Sequence, residues 1–255
     1  AFNSMLKRMQ RNMDAQRRFI SDAAHQMRTP LTGLKMQAQL AAREEDPQQL
    51  RYALQNISTS VDRASHLVNQ LLSLARAEAS EVSAQVMAPI DLDRLLNEIV
   101  GEWVMVARER LIDIGFEASG RAVISGNVFL LREMINNLLD NALRYTPENG
   151  RVTARSLGEH GQVVLEIEDS GIGISIDDAR KVFDRFYRVE GTGVEGSGLG
   201  LAICRKIMDA HGGTIHAENA PGGGARIELT AFTAKVGLVQ GHSCNAAIDK
   251  LAKLL

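Results

Sequence analysis

The sequence is poor in cysteine and contains no long apolar run. Its two cysteines, Cys204 and Cys244, lie far apart and lack the spacing of metal ligands. Two cysteines are also too few for the disulfide framework of a small secreted scaffold, and this favours a reducing cytosolic compartment. No apolar segment approaches the roughly 18–20 residues that a membrane-spanning helix needs. The N-terminal residues show no signal-peptide pattern either.

The chain also lacks a marked excess of charge of either sign. Its formal net charge is −2, which gives no argument for nucleic-acid binding, so we expect no nucleic-acid partner. A local basic cluster within residues 7–18 predicts a solvated helix face more than a surface for an anionic partner. Apolar residues, by contrast, are plentiful: 45% of the 255 residues are hydrophobic. The chain can therefore bury a sizeable core in one large domain or two ordinary ones.

Two long helices are predicted for the first third of the chain. Apolar residues recur in steps of three and four over 2–41, and a second series of the same kind runs over 50–75. Asp46 and Pro47 suit the cap and the first position of the second helix. Two helices alone bury too little surface to be stable, so we expect the hairpin to dimerise into a four-helix bundle. The alternative is that the hairpin folds back onto the rest of the chain.

After a looser stretch, helical and strand-like periodicities alternate, which predicts an α/β sandwich and an α+β fold class for the whole chain. We place a linker at 81–90 and a folded domain at 91–233, and we assign no role to the tail at 234–255. The predicted elements of that domain are a helix at 91–110, strands at 111–117 and 122–125, a helix at 127–145, strands at 151–157 and 162–169, a short helix at 176–183, a helix from about 200 to 211, and strands at 213–219 and 225–233.

One histidine lies where the helical pattern expects solvent. In the heptapeptide His-Gln-Met-Arg-Thr-Pro-Leu at 25–31, His25 points about 200° away from the apolar seam. Thr29 lies one turn further along the same face, and Pro30 removes a backbone hydrogen bond and should bend the helix. A single exposed histidine is more often a plain surface residue than a chemical group. The rest of the chain has to decide between these interpretations.

The predicted helix at 127–145 is unusually rich in asparagine. Asn137 and Asn141 are four residues apart, so they share one face of the helix. Asparagine is a poor residue for a helix interior, because its side chain competes for backbone hydrogen bonds. A face of amide oxygens could bind a hard cation such as magnesium beside phosphate oxygens. The alternative is a merely polar face.

Two glycine-rich segments follow this helix. In Glu-Asp-Ser-Gly-Ile-Gly at 168–173, the carboxylate of Asp169 could accept a hydrogen bond from an exocyclic amine such as that of adenine. Gly171 and Gly173 lack Cβ atoms, which would let the backbone approach a flat ring. In Gly-Ser-Gly-Leu-Gly-Leu at 196–201, the free amides at a helix start could hold phosphate. This second segment matches neither a P-loop nor a dinucleotide-binding turn, and each segment is weak evidence alone.

The order of these motifs is more specific than any one of them. Together with a C-terminal hairpin, they resemble the sensor histidine kinases of bacterial two-component systems, over nearly all of 1–233. This resemblance implies that residues 187–198 form a mobile lid over ATP. Phe183 and Phe186 would anchor that lid, although both also suit a simple apolar core.

The same resemblance divides the chain into regions. It implies a dimerisation and phosphotransfer hairpin of the HisKA type at 19–80, followed by an ATP-binding domain of the GHKL (Bergerat) fold over 91–233. Residues 1–18 resemble the end of a HAMP signalling helix. Within the family, the run at 34–40 is most similar to the tricarboxylate-transport sensor group.

The resemblance assigns His25 as the phospho-acceptor. Most members of the family carry Glu or Asp directly after the histidine, whereas this sequence has Gln26. The Gln26 carbonyl can accept a hydrogen bond from the Nδ1 proton and fix the tautomer, but it cannot take the proton away. We therefore expect autokinase or phosphatase efficiency below that of a Gln26→Glu variant. Thr29 occupies the position that, in this family, helps to place water for dephosphorylation of the response regulator.

The implied ligands are ATP and Mg²⁺. By the same resemblance, Asn141 is the magnesium ligand, Asn137 contacts phosphate or metal beside it, Arg144 and Tyr145 line the nucleotide, and Asp169 selects adenine. The remaining nucleotide-binding residues are glycines or lie between them: Gly171, Gly173, Gly198, Leu199 and Gly200.

The implied activity is ATP-dependent phosphorylation of His25 within a homodimer, followed by transfer to an aspartate in the receiver domain of a response regulator. Related ATPases of the gyrase and chaperone type have a glutamate at the position of Asn137, and an amide cannot act as a general base. One alternative is a nucleotide-binding scaffold or phosphatase-dominant module, because of Gln26; another is a plain ATPase. Since the chain begins inside a helical pattern without a cap, we expect it to be the cytoplasmic portion of a longer inner-membrane sensor protein.

Overall fold

The computed structural model describes residues 21, 23–24, 27–28, 30–80, 87–120, 122–159, 162–189, 193 and 196–232. The first helix, α1, is continuous over 30–41. The later elements are α2 Pro47–Ser80, β1 Ala88–Asp91, α3 Leu92–Glu109, β2 Asp113–Ser119, β3 Val123–Gly126, α4 Val128–Tyr145, β4 Arg151–Glu159, β5 Gln162–Asp169, α5 Gly200–Ala210, β6 Thr214–Asn219 and β7 Ala225–Phe232. No helix of these described segments is long and apolar enough to cross a membrane.

The helices α1 and α2 form the predicted antiparallel hairpin. Asp46 begins α2 as expected, because its carboxylate accepts a hydrogen bond of 2.8 Å from the backbone N–H of Gln48. The Ser60 hydroxyl donates to the Gln37 side-chain oxygen across the hairpin at 3.0 Å, which sets the register of the two helices. Part of the apolar seam is left uncovered in the single chain: Leu54 is 53% exposed and Val61 is 44% exposed.

The second region is an α/β sandwich. Five strands form one sheet in the order β2-β4-β5-β7-β6, in which only β2 and β4 run parallel. The helices α3, α4 and α5 pack on this sheet, and the short strands β1 and β3 pair beside it. The alternation of side chains along β5 explains why the helices cover one face of the sheet. Leu165 and Ile167 point into the core, while Glu166 and Glu168 point to the other face, toward Arg155 and other charged groups.

Local sequence explains where the two main helices of the sandwich begin. The Asp91 carboxylate accepts a hydrogen bond from the Arg94 N–H, and the Asn127 side chain accepts from the N–H groups of Phe129 and Leu130. Asp and Asn are both among the residues favoured at the start of a helix. The helix α4 then ends at Tyr145, and Thr146 caps it directly before a proline that cannot continue the backbone hydrogen bonding.

The hairpin also packs on the sandwich. Leu67 and Leu74 of α2 belong to the same buried core as residues of α4 and α5, and Leu74 is fully buried. The two arrangements that the sequence left open are therefore not exclusive. The C-terminal half of α2 folds back onto the sandwich, while Leu54 and Val61 stay open for another partner.

The structure corrects two boundaries. The segment 176–183, predicted as a short helix, is a series of hydrogen-bonded turns, because its four-residue backbone bonds (Ala179 to Ser175, Val182 to Asp178) are not consecutive. The predicted linker at 81–90 ends earlier than expected, since Ala88–Asp91 form β1 and pair with β3. Residues 1–18 and the tail at 234–255 lie outside the described residues.

Candidate functional site

A pocket opens between α4, the end of β5 and the start of α5. Seven of the residues singled out in the sequence line it: Asn141, Arg144, Tyr145, Asp169, Gly173, Gly198 and Gly200. Residues that are up to sixty positions apart in sequence thus meet at one place. The chemical character of the pocket differs from end to end, with a carboxylate at one end and amide groups around the start of a helix at the other.

Asp169 is the buried carboxylate of the pocket. Its side chain is 8% exposed, and its Oδ1 accepts hydrogen bonds from the backbone N–H groups of Gly171 (2.8 Å) and Ala225 (3.2 Å). Burial raises the pKa of Asp169, and the two N–H donors work against that rise. No described residue bonds to Oδ2. The group therefore presents a fixed hydrogen-bond acceptor to the pocket, and its recognition of an exocyclic amine stays a prediction.

The glycines after Asp169 are required by close contacts within the protein itself, and their predicted approach to a flat ring stays a prediction. A Cβ on Gly171 would lie 2.3 Å from the carbonyl oxygen of Tyr145, so the backbone after β5 passes directly against the end of α4. Gly173 has φ +75°, and a Cβ there would lie 2.6 Å from Asn219 Oδ1. A similar approach recurs at Gly224, whose Cβ would collide with the Asp169 carbonyl. These glycines bring the protein's own backbone segments together around the carboxylate.

The other end of the pocket is built from α4 and the first turn of α5. Gly200 is buried, and a Cβ on it would lie 3.3 Å from Asn137 Oδ1 and 3.4 Å from Asn141 Nδ2. The two amides therefore meet the N-terminal backbone of α5, where N–H groups lack partners within the helix. Asn141 lines the pocket, whereas Asn137 is 6% exposed and lies beneath its wall. The Asn137 amide nitrogen donates to the Glu133 carbonyl at 2.9 Å.

Arg144 and Tyr145 lie where α4 reaches the pocket mouth. The guanidinium of Arg144 forms an ion pair of 2.8 Å with Asp140 one turn earlier, and both side chains line the pocket. The pair holds a cationic group at the pocket edge. That placement suits a polyphosphate, whose negative charge attracts a cation in a partly desolvated site.

A backbone hydrogen bond joins the two ends of the predicted lid segment at 187–198. The Phe186 N–H donates to the Gly198 carbonyl at 2.8 Å, and both residues have positive φ values, +61° and +69°. A Cβ on Gly198 would lie 2.7 Å from Phe186 backbone atoms. Phe183 is a buried core aromatic that also stacks under the Arg205 guanidinium, 4.7 Å from the ring centre. Within the lid, residues 190–192 and 194–195 lie outside the described residues.

Gln70 lines the pocket from α2 but was not found from the sequence. Ser197 also lines it, just before α5; it lies in the glycine-rich segment 196–201 but was given no role of its own. Gln70 had a detectable sequence pattern, because it lies three residues after Leu67 and four before Leu74 on the apolar seam, where a polar side chain needs a partner. His25, Gln26 and Thr29 lie outside the described residues, so their predicted roles stay predictions.

Magnesium fits the pocket only together with phosphate oxygens. The described residues hold no group of three or more His, Cys, Asp or Glu side chains that could form a metal cage. The donors at the α5 end are neutral amides, of which Asn141 faces the pocket. Mg²⁺ typically keeps several waters and binds through one or two protein ligands plus substrate phosphates. The donor set therefore suits a metal that arrives with a nucleotide.

Two regions of the chain match known protein families. Residues 126–235 match the family described as histidine kinase-, DNA gyrase B- and HSP90-like ATPase. Residues 15–80 match the His Kinase A (phospho-acceptor) domain. An ATPase domain of this type joined to a phospho-acceptor domain defines a histidine kinase. The chain belongs to the sensor histidine kinases of two-component systems, which confirms the family and the α+β fold class predicted from the sequence.

Individual relatives support the same family. The chain is 37% identical over 214 residues to the sensor protein kinase PmrB of Pseudomonas aeruginosa, covering 84% of this chain and 44% of PmrB. It is 28% identical to full-length ShkA in complex with AMPPNP, with a TM-score of 0.63, covering 86% of this chain and 46% of ShkA. The histidine kinase ThkA, in complex with the response regulator TrrA, shares the fold at 23% identity and a TM-score of 0.71, covering 88% and 64% of the two chains. The chain thus spans about half the length of the curated relatives it matches.

Proposed function

We propose that this chain transfers the terminal phosphoryl group of ATP to His25 and then to an aspartate of a response regulator. The observation that carries this proposal is the pocket itself, where a buried carboxylate acceptor, Asp169, faces one end and the amide-lined start of α5 forms the other. A purine base and a chain of phosphates need these two environments at opposite ends of one cavity. The family membership of the chain supports the same ligand.

In the proposed complex, Asp169 Oδ2 accepts a hydrogen bond from the exocyclic amine of adenine, and the phosphates lie toward the first turn of α5. The side chain of Asn141 would hold Mg²⁺ together with phosphate oxygens. When bound, the metal neutralises charge on the phosphates and thereby favours phosphoryl transfer. Arg144 adds positive charge at the pocket edge, and the segment 187–198 excludes water by covering the phosphates.

The transfer step uses the unprotonated Nε2 of His25. Its lone pair forms a bond to the γ-phosphorus while the bond from that phosphorus to the bridging oxygen of ADP breaks, and ADP leaves with the electron pair. The Gln26 carbonyl would accept a hydrogen bond from the Nδ1 proton, which keeps Nε2 free for attack. In the second step, a carboxylate oxygen of the regulator bonds to phosphorus and the P–N bond breaks, which returns neutral His25.

Hydrolysis of ATP by the pocket itself is disfavoured because the buried amide of Asn137 stands where related ATPases carry a general base. Its carboxamide cannot take a proton from water. The phosphoryl group therefore waits for a nucleophile from outside the pocket. This interpretation favours a kinase over a plain ATPase.

We propose that the hairpin forms a homodimer and also docks the regulator. The support is the set of large apolar side chains left exposed on the two helices, since clustered exposed apolar groups are typical of interaction surfaces. The exposed apolar side chains of the hairpin are Leu31, Met36, Leu40, Tyr52, Leu54, Val61 and Leu72. We further propose that the longer protein is anchored in the inner membrane, as its sensor relatives suggest.

Incubation with γ-labelled ATP and magnesium separates the possible functions. A kinase places acid-labile, base-stable label on the protein, and His25→Ala abolishes it while His66→Ala, at the other histidine of the hairpin, retains it. A binding scaffold holds ATP without labelling. An ATPase releases free phosphate rapidly and carries no label. Either of the last two results contradicts the proposal.

A further inference from the structure

Gln70 is a polar residue on the buried face of α2. It is only 5% exposed and lies between Leu67 and Leu74, which belong to the core shared with α4 and α5. A buried carboxamide in an apolar seam is unfavourable unless its hydrogen bonds are satisfied. Gln70 therefore needs partners on the surface against which α2 packs, and these partners come from the pocket.

Both ends of the Gln70 carboxamide bond to groups of the candidate nucleotide site. Its Nε2 donates to Asn137 Oδ1 at 3.2 Å, and its Oε1 accepts from the Ser197 hydroxyl at 2.5 Å. Ser197 Oγ also accepts from the Leu199 N–H at 3.2 Å, at the start of α5. One side chain of the hairpin thus joins α4 to the end of the lid segment, across the phosphate end of the pocket.

This contact lies at a defined level along the hairpin. The hydrogen bond between Ser60 and Gln37 sets the antiparallel register. When that register is continued at equal rise along both helices, Met27 lies level with Gln70. Met27 packs against the shared core and belongs to the heptapeptide at 25–31. Gln70 therefore connects the pocket to the level of Met27 on the first helix of the hairpin.

The Ser197 hydroxyl cannot serve Gln70 and a phosphate at once. A hydroxyl has one proton to donate, and phosphate oxygens at neutral pH act as acceptors. When the proton points to Gln70 Oε1, none remains for a phosphate at the start of α5. Binding of a triphosphate and the Gln70 contact therefore compete for the same donor.

We propose that Gln70 is an autoinhibitory latch, which holds the sandwich docked on α2 until the phosphates of a nucleotide take over the Ser197 hydroxyl. The inference rests on the proposed function, because it requires a polyphosphate at the α5 end of the pocket. Once the Ser197 contact is lost, Gln70 keeps only its hydrogen bond to Asn137, and the docking of the sandwich on α2 through Leu67 and Leu74 is weakened. The two equilibria, ATP binding and docking of the sandwich on α2, are linked. If ATP weakens the docking by a given factor, loss of the latch must raise the affinity for ATP by the same factor.

The test compares nucleotide affinities of the full 255-residue chain and its Gln70→Leu variant, because leucine has a side chain of similar size that cannot form the hydrogen bonds. We expect the dissociation constant for Mg·ATP to fall about three- to tenfold, the equivalent of one hydrogen bond, and that for adenosine to stay unchanged. Asn69→Ala, on the exposed neighbouring residue, is the matched control and should change neither constant. An unchanged or weakened ATP affinity in Gln70→Leu overturns the latch.

A second measurement uses the unaltered chain and so does not depend on the folding of a variant. Amide hydrogen exchange within 67–74 should accelerate when Mg·ATP is added and stay unchanged with adenosine. Equal exchange with both ligands contradicts the latch. Failure of the chain to bind ATP at all is a different result, because it removes the proposed function rather than the latch alone.

Discussion

Asp169 divides its two carboxylate oxygens between the fold and the pocket. Oδ1 accepts two backbone N–H groups, while Oδ2 has no partner among the described residues. In Asp169→Asn, the amide can keep its oxygen on the N–H groups, but its NH₂ then faces another donor, the adenine amine. We expect ATP affinity to fall about 10- to 100-fold, as measured by calorimetry.

The same variant should not lose stability. Burial raises the pKa of Asp169, so ionising it costs the native state free energy, and this cost is fully present at pH values above the folded-state pKa. At pH 7.5, Asp169→Asn should therefore unfold at the same temperature or higher. A variant that loses both stability and binding would show that Asp169 is structural.

The neighbouring Glu168→Gln is the matched control with the opposite outcome. Although burial opposes its ionisation, hydrogen bonds from Arg226 and Arg155 outweigh that effect and lower the pKa of Glu168. Its contribution to stability is present above the ordinary glutamate pKa and is lost as pH falls through the lowered one. Glu168→Gln should cost up to about 1 kcal/mol at pH 7.5 and leave ATP affinity unchanged.

Gln26 gives a test of the missing carboxylate beside the histidine. In Gln26→Glu, the side chain can take the Nδ1 proton as well as orient the ring. We expect the rate of autophosphorylation to rise about tenfold or more, as is typical of a positioned base. Gln39→Glu adds the same charge at an exposed position of α1 and should leave the rate unchanged. Equal rates for Gln26→Glu and the unaltered chain over pH 6–9 would refute this prediction.

Some residues of the pocket could be predicted from sequence, and others could not. Asp169 and Asn141 could be predicted as pocket residues, because the type of side chain limits the chemistry that the residue can do. The steric need for glycine at position 171 was not predictable, because it arises from the approach of Tyr145, which is distant in the chain. A steric requirement of this kind is created by tertiary packing, so no local pattern could reveal it.

Among the structural elements, α4 and α5 are connected by a histidine. The Asn127 N–H donates to His211 Nε2 at 3.0 Å, and Nδ1 lies 2.7 Å from the Ile207 carbonyl, so the neutral ring carries its proton on Nδ1. Burial lowers the pKa of His211, although the bond to Ile207 works against this. Protonation of Nε2 would break the contact that joins the end of α5 to the start of α4.

The consequence for stability follows from the lowered pKa. When a histidine stays neutral in the native state, the protein loses stability as pH falls below the unfolded-state pKa of that histidine, near 6.5. The reason is that the unfolded chain takes up the proton first. Between pH 7.5 and 5.5, the unaltered chain should lose up to about 1 kcal/mol more than His211→Gln in urea unfolding. His216→Gln, at an exposed position of β6, should behave like the unaltered chain. Identical pH dependence in all three would exclude this role of His211.

The regular elements were predictable because their caps and periodicities are local. Asn127, Asp91 and Asp46 each mark a helix start that the structure confirms. The segment 176–183 was mispredicted, since its helical composition is overridden by side-chain hydrogen bonds at Asp178. The Ser175 hydroxyl bonds to Asp178, and Asp178 in turn accepts a hydrogen bond from the Tyr187 hydroxyl, which holds the turns in place of a regular helix.

At the scale of the whole molecule, the hairpin has two apolar surfaces, one covered by the sandwich and one open. Dimerisation through the open surface predicts that Leu54→Glu weakens self-association about a thousandfold, because two buried leucines and their packing are lost per dimer. Light scattering should then report a mass near the 27.8 kDa of one chain. Gln55→Glu adds the same charge beside it and should leave a dimer. A dimer in both variants would contradict this use of the surface.

The relation between hairpin and sandwich was the least predictable feature. The seam of α2 indicated an apolar partner but could not say which one, since the other helices and the surface of α5 offer similar apolar surfaces. Gln70 was the one residue on that seam that distinguished them, because its carboxamide needs the polar groups of Asn137 and Ser197. Such complementarity becomes visible only when both surfaces are known.

The most direct test of the account is the identity of the phosphorylated residue. After incubation with Mg·ATP, trypsin digestion at alkaline pH releases the peptide 19–28, which contains both Ser21 and His25. Mass spectrometry that preserves acid-labile phosphate should find one added phosphoryl group on this peptide, located on His25. Phosphate on Ser21 or on another peptide, or no phosphate on a chain that binds ATP, would contradict the account.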